Sequence, residues 1–429
     1  MLTTKEKQYV RELARELSGI AELPIWTEKA ELWKKKNALQ KVRPLVLCAL
    51  PEEAWHEIIP DSELRIKDNV FAAYEWELKK RLYHWEHIKD DEIISNILYV
   101  PQCYSLTDWI DGRVRPYSGQ ADRAAKFTPS ITEYSDLKQL RFPELSNDST
   151  TTENNFAIVS DVFGDILDVR LGEPFFAATD SAVMGWGNSL IDILCELRGL
   201  GNLFEDLVLA PEFVEDAMDF LMRGTMNYLD SLEREGLLSL NSNEFMFNSN
   251  TPLGSNGLGI TGELPGDDVD PTHIRCKHLW GYFMAQEFSE VSPDMFARFV
   301  LPYQVPIAER FGLTCYGCCE GNDRKWDIIT DSFPHLRELS VSHAANLEIA
   351  AGTLTDRYVL SWKPNATRMI ASFDEAYIRK AIAEAFKIAR DCHLVVSLRD
   401  TQTLFNEPER MHRWTHIVMD CAMNAQAQL

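Results

Sequence analysis

The chain has 429 residues, of which 45% are apolar, and a net charge of −23. This length supports one large core, or a domain with an extension. The charge repels phosphate backbones and argues against nucleic-acid binding, and with no apolar run of about 18 residues no membrane span is expected.

The opening "MLTTKEKQYVRELARELSGI" is charged and amphipathic and lacks the apolar stretch of a signal peptide, so a cytoplasmic protein is expected. The 9 cysteines are odd in number and irregularly spaced, which in a reducing compartment reads as thiols.

Residues 1–100 read mainly as helices. Val10, Leu13 and Leu17 form one apolar stripe, and Phe71, Tyr74, Leu78 and Leu82 form another. Lys34, Lys35 and Lys36 read as a solvated helix face, and the apolar run at 43–50 as a short strand. Helices with such stripes must bury them on the main domain or on another subunit, so a homodimer is compatible. Residues 1–100 are expected to form a helical extension over the mouth of a main domain at 101–429, with Trp55 or Trp109 shaping its pocket. The polar "SNDSTTTENN" at 146–155 reads as an exposed loop. A helical stretch from about residue 189 leads to a second helix with Pro211 near its start and Gly236 just past its end.

The last part of the chain is the most regular. "LTCYGC", "LRELSVS", "RYVLSW" and "HLVVSLRD" each precede a helical pattern. Ser372 and Glu375 have capping-box spacing at the third of these helices, and Asn406 and Pro408 mark the start of the fourth. Repeated strand–helix units indicate a parallel sheet with covering helices. No dinucleotide fingerprint or phosphate loop follows any strand. The expected fold is a (β/α)8 TIM barrel, with a doubly wound open sheet as the alternative.

Barrel sites lie at the C-terminal ends of the strands. There the four units carry Cys318, Cys319 and Glu320; Ser342 and His343; Ser361, Lys363 and Asn365; and Arg399, Asp400 and Thr401. Strand alternation puts Tyr316, Cys318 and Glu320 on one face and Cys315 and Cys319 on the other. If the first face lines the barrel, a thiolate and a carboxylate meet there, a pairing that suits tetrahedral zinc. His343 and Asp400 are the further candidate ligands. The plain alternative makes the cysteines core residues and Glu320 a loop cap. Lys363, Arg399, Glu320 and Asp400 are the candidate catalytic groups. Trp280, Tyr282, Gln286, Asn241 and Asn365, with Tyr316, are candidates for framing a flat aromatic ligand.

The stretch "HLWGYFMAQEFSEVSPDMFARFVLPYQVPIAERFGLTCYGCCE", with "LRELSVS", "VLSWKPN" and "VSLRDTQTL", resembles a branch of the uroporphyrinogen decarboxylase superfamily. The resemblance runs from about residue 195 to 420. It implies a (β/α)8 barrel of uroporphyrinogen decarboxylase type with an N-terminal helical extension. It also implies a methyltransferase of O-demethylase type, which moves a methyl group from a small donor, such as an aromatic methyl ether, to the cobalamin of a separate corrinoid protein. The zinc methyltransferases of that superfamily use His-x-Cys on the corresponding strand and Cys on the last. Here Tyr316 stands at the His position, Cys318 at the first Cys and Asp400 near the last, so Glu320 and Asp400 would supply oxygen ligands. Gly321 and His343 replace prolines usual in the branch, and the arginine cluster of porphyrinogen decarboxylation is absent. Two other readings stay open: a metal-free lyase whose Lys363 and Arg399 hold substrate carboxylates, and a binding protein for a corrinoid or aromatic ligand.

Overall fold

The computed structural model describes residues 2–112, 128–172, 189–242 and 253–426. Among the described residues ten strands follow in chain order: β1 (Leu45–Cys48), β2 (Ile97–Val100), β3 (Tyr104–Leu106), β4 (Leu145–Asn147), β5 (Asp168–Leu171), β6 (Trp280–Phe283), β7 (Leu313–Tyr316), β8 (Leu336–Val341), β9 (Val359–Trp362) and β10 (His393–Leu398). Six of them form one sheet in the order β1-β10-β9-β8-β7-β6, and every ladder in it is parallel. The last strand thus lies beside the first. β2 and β5 form a separate parallel pair, and β3 and β4 an antiparallel one. Among the described residues no ladder joins these pairs to the larger sheet.

Parallel strands need long crossovers, and helices supply them. β7 is followed by the helix Trp326–Ser332, β8 by Leu347–Leu354, β9 by Glu375–Ile388 and β10 by Glu409–Gln426. Local chemistry sets several helix starts. Asn346 accepts from the backbone N–H groups of Glu348 and Ile349, and Asp374 from those of Ala376 and Tyr377. Asp374, not the expected Ser372, is therefore the cap of the Glu375–Ile388 helix. Pro211 opens the long helix Pro211–Glu235, and Gly236 closes it in the left-handed region. Among the described residues no helix is long and apolar enough to cross a membrane.

Both outer edges of the six-stranded sheet are covered by side chains that stand in for a neighbouring strand. On β1, the Val46 N–H donates to Asp91 and the Cys48 N–H to Asp90, both at 2.8 Å. Asp91 is held in turn by a bidentate pair with buried Arg43. On β6, the Asn241 amide accepts from the Trp280 N–H and donates to the Trp280 carbonyl, both at 3.0 Å. An edge left bare would leave buried donors and acceptors unpaired.

The sheet has two packed faces. Phe283 and Tyr316 meet Phe311, Phe333 and Phe296 on the helix-facing side. Trp280, Tyr282, Met284, Leu313 and Cys315 cluster on the other face with Leu253 and Leu264.

The N-terminal helices depart from expectation. β1 falls within residues 1–100 and pairs with β10, so these residues are not a separate helical extension. The helix Ile25–Asn37 ends beneath the sheet, not over its mouth. Its Asn37 side chain donates to the Leu258 and Ile260 carbonyls, and Lys36 lies 3.9 Å from Glu338 near the start of β8. Lys36 is fully buried, with its ammonium 4.1 Å from the Trp33 ring centroid, and is not on a solvated face. Trp109 is buried against Phe220 and Gly224. Residues 146–155 form part of β4 and of the helix Ser149–Phe163, because Asp148 caps that helix through the Thr151 N–H.

Candidate functional site

The C-terminal ends of β6 to β9 converge on one sulfur. β7 ends at Tyr316, and Gly317 follows with φ +98°. In that conformation the strict strand alternation stops. Cys315 faces the cluster that contains Tyr282, Tyr316 packs outward, and Cys318 returns to the Tyr282 side. A side chain at Gly317 would bring its Cβ to 3.1 Å from the Ser340 carbonyl oxygen. Tyr316 is therefore not a binding residue: its ring fills the helix-facing core. Cys319 is not buried against covering helices either. It lies half-buried with its Sγ 3.6 Å from that of Cys318 and 4.0 Å from an Asp400 carboxylate oxygen.

Around Cys318 the hydrogen bonding is dense. The buried Lys363 ammonium donates to the Cys318 carbonyl and, at 3.1 Å, to Ser255 Oγ. Ser340 Oγ donates to the same carbonyl at 3.0 Å. Ser255 Oγ also lies 3.4 Å from the Tyr282 hydroxyl and 3.2 Å from the Gly317 carbonyl oxygen. Gly254 lets the Tyr282 ring lie against the chain, since a Cβ there would come within 2.4 Å of it. Glu320 turns back on the loop. One of its oxygens accepts from the Cys318 N–H at 2.7 Å and the other from the Ala285 N–H at 3.4 Å.

These neighbours shift two acidic groups, two residues apart, in opposite directions. The Cys319 S–H against the sulfur, then the Lys363 charge and the Tyr282 and Ser255 hydroxyls, hold the Cys318 thiol well below its usual value against the upward push of burial. The same contact pushes Cys319 up. Burial, then the Cys318 charge, pushes the Glu320 carboxyl up. The site thus pairs a thiol that gives up its proton more readily than usual with a carboxyl that holds its proton more tightly than usual. A second acid pair, buried Asp192 with partly buried Glu287, stands nearby. Burial, then a hydrogen bond with Glu287, pushes Asp192 up, and the Cys318 charge adds to it. Asp192 sits in the helix Leu190–Arg198, most of whose residues are buried. A lone acid in the apolar run "SLIDILC" was the available signal for it. Ser255 and Ser340 gave none.

The other candidates are scattered. Asn241 caps the edge of β6. Trp280 is buried, with its indole N–H donating to the Gly259 carbonyl. Gln286 is exposed in a short turn, Gln286–Phe288. The Asn365 side chain accepts from the Arg368 N–H and opens the π-helical turn Thr367–Ala371. Arg399 is buried just beyond β10. Asp400 has φ +60° and faces Cys319. Beyond Asn241 and Ser242, residues 243–250 lie outside the described residues.

Cys318, Glu320, His343 and Asp400 do not assemble as a zinc site. His343 is exposed, and Asp400 approaches Cys319. Among the described residues, the ligand-type atoms within 4.8 Å of one another as a set belong to His84, Asp90 and Glu92. There the His84 nitrogens lie 2.8 Å from Asp90 and 3.1 Å from Glu92. Asp90 also accepts from the Cys48 N–H, so this trio braces the edge of β1.

No family model and no curated protein matches this chain. Among solved structures, the chain is similar to a methyltransferase from Methanosarcina mazei, with a TM-score of 0.48 and 10% identity over 92% of this chain and 98% of that one.

Proposed function

We propose that the chain is a methyltransferase that passes a methyl group from a small methylated donor, an aromatic methyl ether, to the cobalamin of a separate corrinoid protein. With it we propose that the six-stranded sheet and the β2–β5 pair are arcs of one (β/α)8 barrel, a reading supported by the adjacency of β10 and β1. The observation that carries the function is the placement of Cys318 beside Glu320 at the C-terminal ends of the strands, joined by the Cys318 N–H to Glu320 bond at 2.7 Å, with the thiol shifted down and the carboxyl shifted up. An aryl methyl ether is a poor electrophile because phenolate leaves reluctantly. A proton supplied to the ether oxygen as the bond to methyl breaks lowers that barrier, and Glu320, its carboxyl shifted up, is the group placed to supply it. In its ionised form the Cys318 sulfur favours the positive charge that develops on the methyl carbon in flight. Lys363 does not hold a substrate carboxylate in this reading, because its ammonium is occupied by the Cys318 carbonyl and Ser255.

The experiment is methyl transfer from methoxyarenes to a reduced corrinoid protein, read as the phenol released. Glu320→Gln should slow it about 10²–10⁴-fold. The loss should shrink for ethers of acidic phenols, which leave without a proton. Carbon dioxide release in place of phenol, or an unaffected Glu320→Gln, would overturn the proposal.

A further inference from the structure

Most cysteines of the chain are sealed in the core, and Cys48, Cys195, Cys276, Cys315 and Cys392 are all buried. Cys318 and Cys319 are different: they are adjacent, both partly exposed, and their sulfurs are 3.6 Å apart. Two glycines flank them. Gly317 is already in the left-handed region, and Gly321 has no atom within 3.4 Å of where its Cβ would sit except the Ala344 carbonyl oxygen at that distance. The backbone on both sides therefore has freedom that other residues lack.

We propose that Cys318 and Cys319 form a redox-modification site at which a hydroperoxide converts the two thiols into a vicinal disulfide that reversibly closes the site. The proposal rests on the placement of the two sulfurs and holds whatever group the site transfers. The Lys363, Tyr282 and Ser255 groups that stabilise a negative sulfur make Cys318 the attacking partner. Its sulfur attacks the outer oxygen of the hydroperoxide. An S–O bond forms, the O–O bond breaks, and the alkoxide leaves as the alcohol after taking a proton. The Cys319 sulfur then attacks the sulfenic sulfur. The S–S bond forms, the S–O bond breaks, and hydroxide leaves with the Cys319 proton as water. Two electrons pass from the sulfurs to the peroxide.

The bridge is suited to reversal. Adjacent Cα atoms are about 3.8 Å apart, closer than the roughly 4.4–6.8 Å of ordinary disulfides. Such a bond is strained and readily reduced. Closing it removes the thiolate, so the site is silenced while oxidised. It also blocks over-oxidation of Cys318 to sulfinic acid, which thiols do not reverse.

The test uses the reduced full chain, hydrogen peroxide near equimolar, and peptide mass spectrometry with dimedone present to trap sulfenic acid. The wild type should lose two hydrogen masses in the peptide carrying residues 318–319 and recover them with dithiothreitol. Cys319→Ser should instead carry dimedone on Cys318, and Cys318→Ser should show neither change at the same dose. Dimedone on Cys318 in the wild type without hydrogen loss would overturn the proposal, as would a bridge to another cysteine or to a second chain. None of these readings needs methyl transfer, so the proposed activity and this switch stand or fall separately.

Discussion

Gly317 decides where the neighbouring sulfur points. With φ +98° it ends the alternation of β7 and delivers Cys318 to the Tyr282 side. Gly317→Ala would be strained in that conformation and would crowd the Ser340 carbonyl. It should destabilise the fold by about 1–2 kcal/mol or more and raise the pH at which Cys318 is alkylated, read by iodoacetamide kinetics. The two titrating groups give the pH profile its sign. Cys318 is held low, so the rate should fall as pH drops through its depressed value and the sulfur gains a proton. Glu320 is held high, so the rate should fall as pH rises through its elevated value and the acid is lost. A bell in kcat/KM is expected, and Glu320→Gln should remove its alkaline limb while lowering the maximum. A profile flat across both limbs would remove these two residues from the chemistry.

At the scale of elements, the buried pair joining the Ile25–Asn37 helix to β8 makes a sharp case. Lys36 and Glu338 are both fully buried. Burial pushes Lys36 down to about 8, with Glu338 opposing, and pushes Glu338 up. Only one Glu338 oxygen has a backbone donor, the Gly257 N–H at 2.8 Å. Removing one charge strands the other, so Lys36→Met alone should cost about 3–5 kcal/mol. Lys36→Met with Glu338→Gln should recover most of that, because a buried ion pair contributes little net stability against well-packed neutral groups. Urea unfolding of the single and double variants checks this, and additive losses would show that the two do not act as a pair. Lys36 also gives stability a pH slope. Its folded value lies below the unfolded 10.5, so between about 8 and 10.5 the unfolded chain binds more protons and this group's contribution rises with pH. The last four strands and their helices were legible in the sequence because each unit is apolar, short and punctuated. The pair was not, since Lys36 reads as one more lysine in a basic run. The register beyond Tyr316 was not legible either, because alternation assumes a strand that has already ended. Asn241 looked like a ligand contact because edge-capping by a side chain leaves no pattern in sequence.

For the whole molecule, the N-terminal helices belong to the sheet's underside and to its outer wall. In the first helix, Thr4–Ala21, Val10, Ala14 and Leu17 are fully buried. Its ion pairs with the helix Ser149–Phe163, Lys7 with Asp161 and Arg11 with Asp165, involve acids that are 75% and 65% exposed. Exposed pairs of this kind contribute about 0–1 kcal/mol each, so apolar burial holds the helix in place. Burying Val10, Leu17 and Trp33 is worth about 1.5–3 kcal/mol each. Deleting residues 1–40 forfeits those terms. It also strands Glu338 without its cation, at about 3–5 kcal/mol, and leaves the Leu258 and Ile260 carbonyls without the Asn37 donor. The sum approaches the entire 5–15 kcal/mol stability typical of a folded domain. The truncated chain is therefore expected to be insoluble. Deleting only residues 1–22 keeps Trp33, Lys36 and Asn37, and should give a soluble protein of lower melting temperature with the iodoacetamide reactivity of Cys318 unchanged. If the shorter deletion altered that reactivity, the first helix would be shaping the site from a distance, and its role as a wall would be wrong.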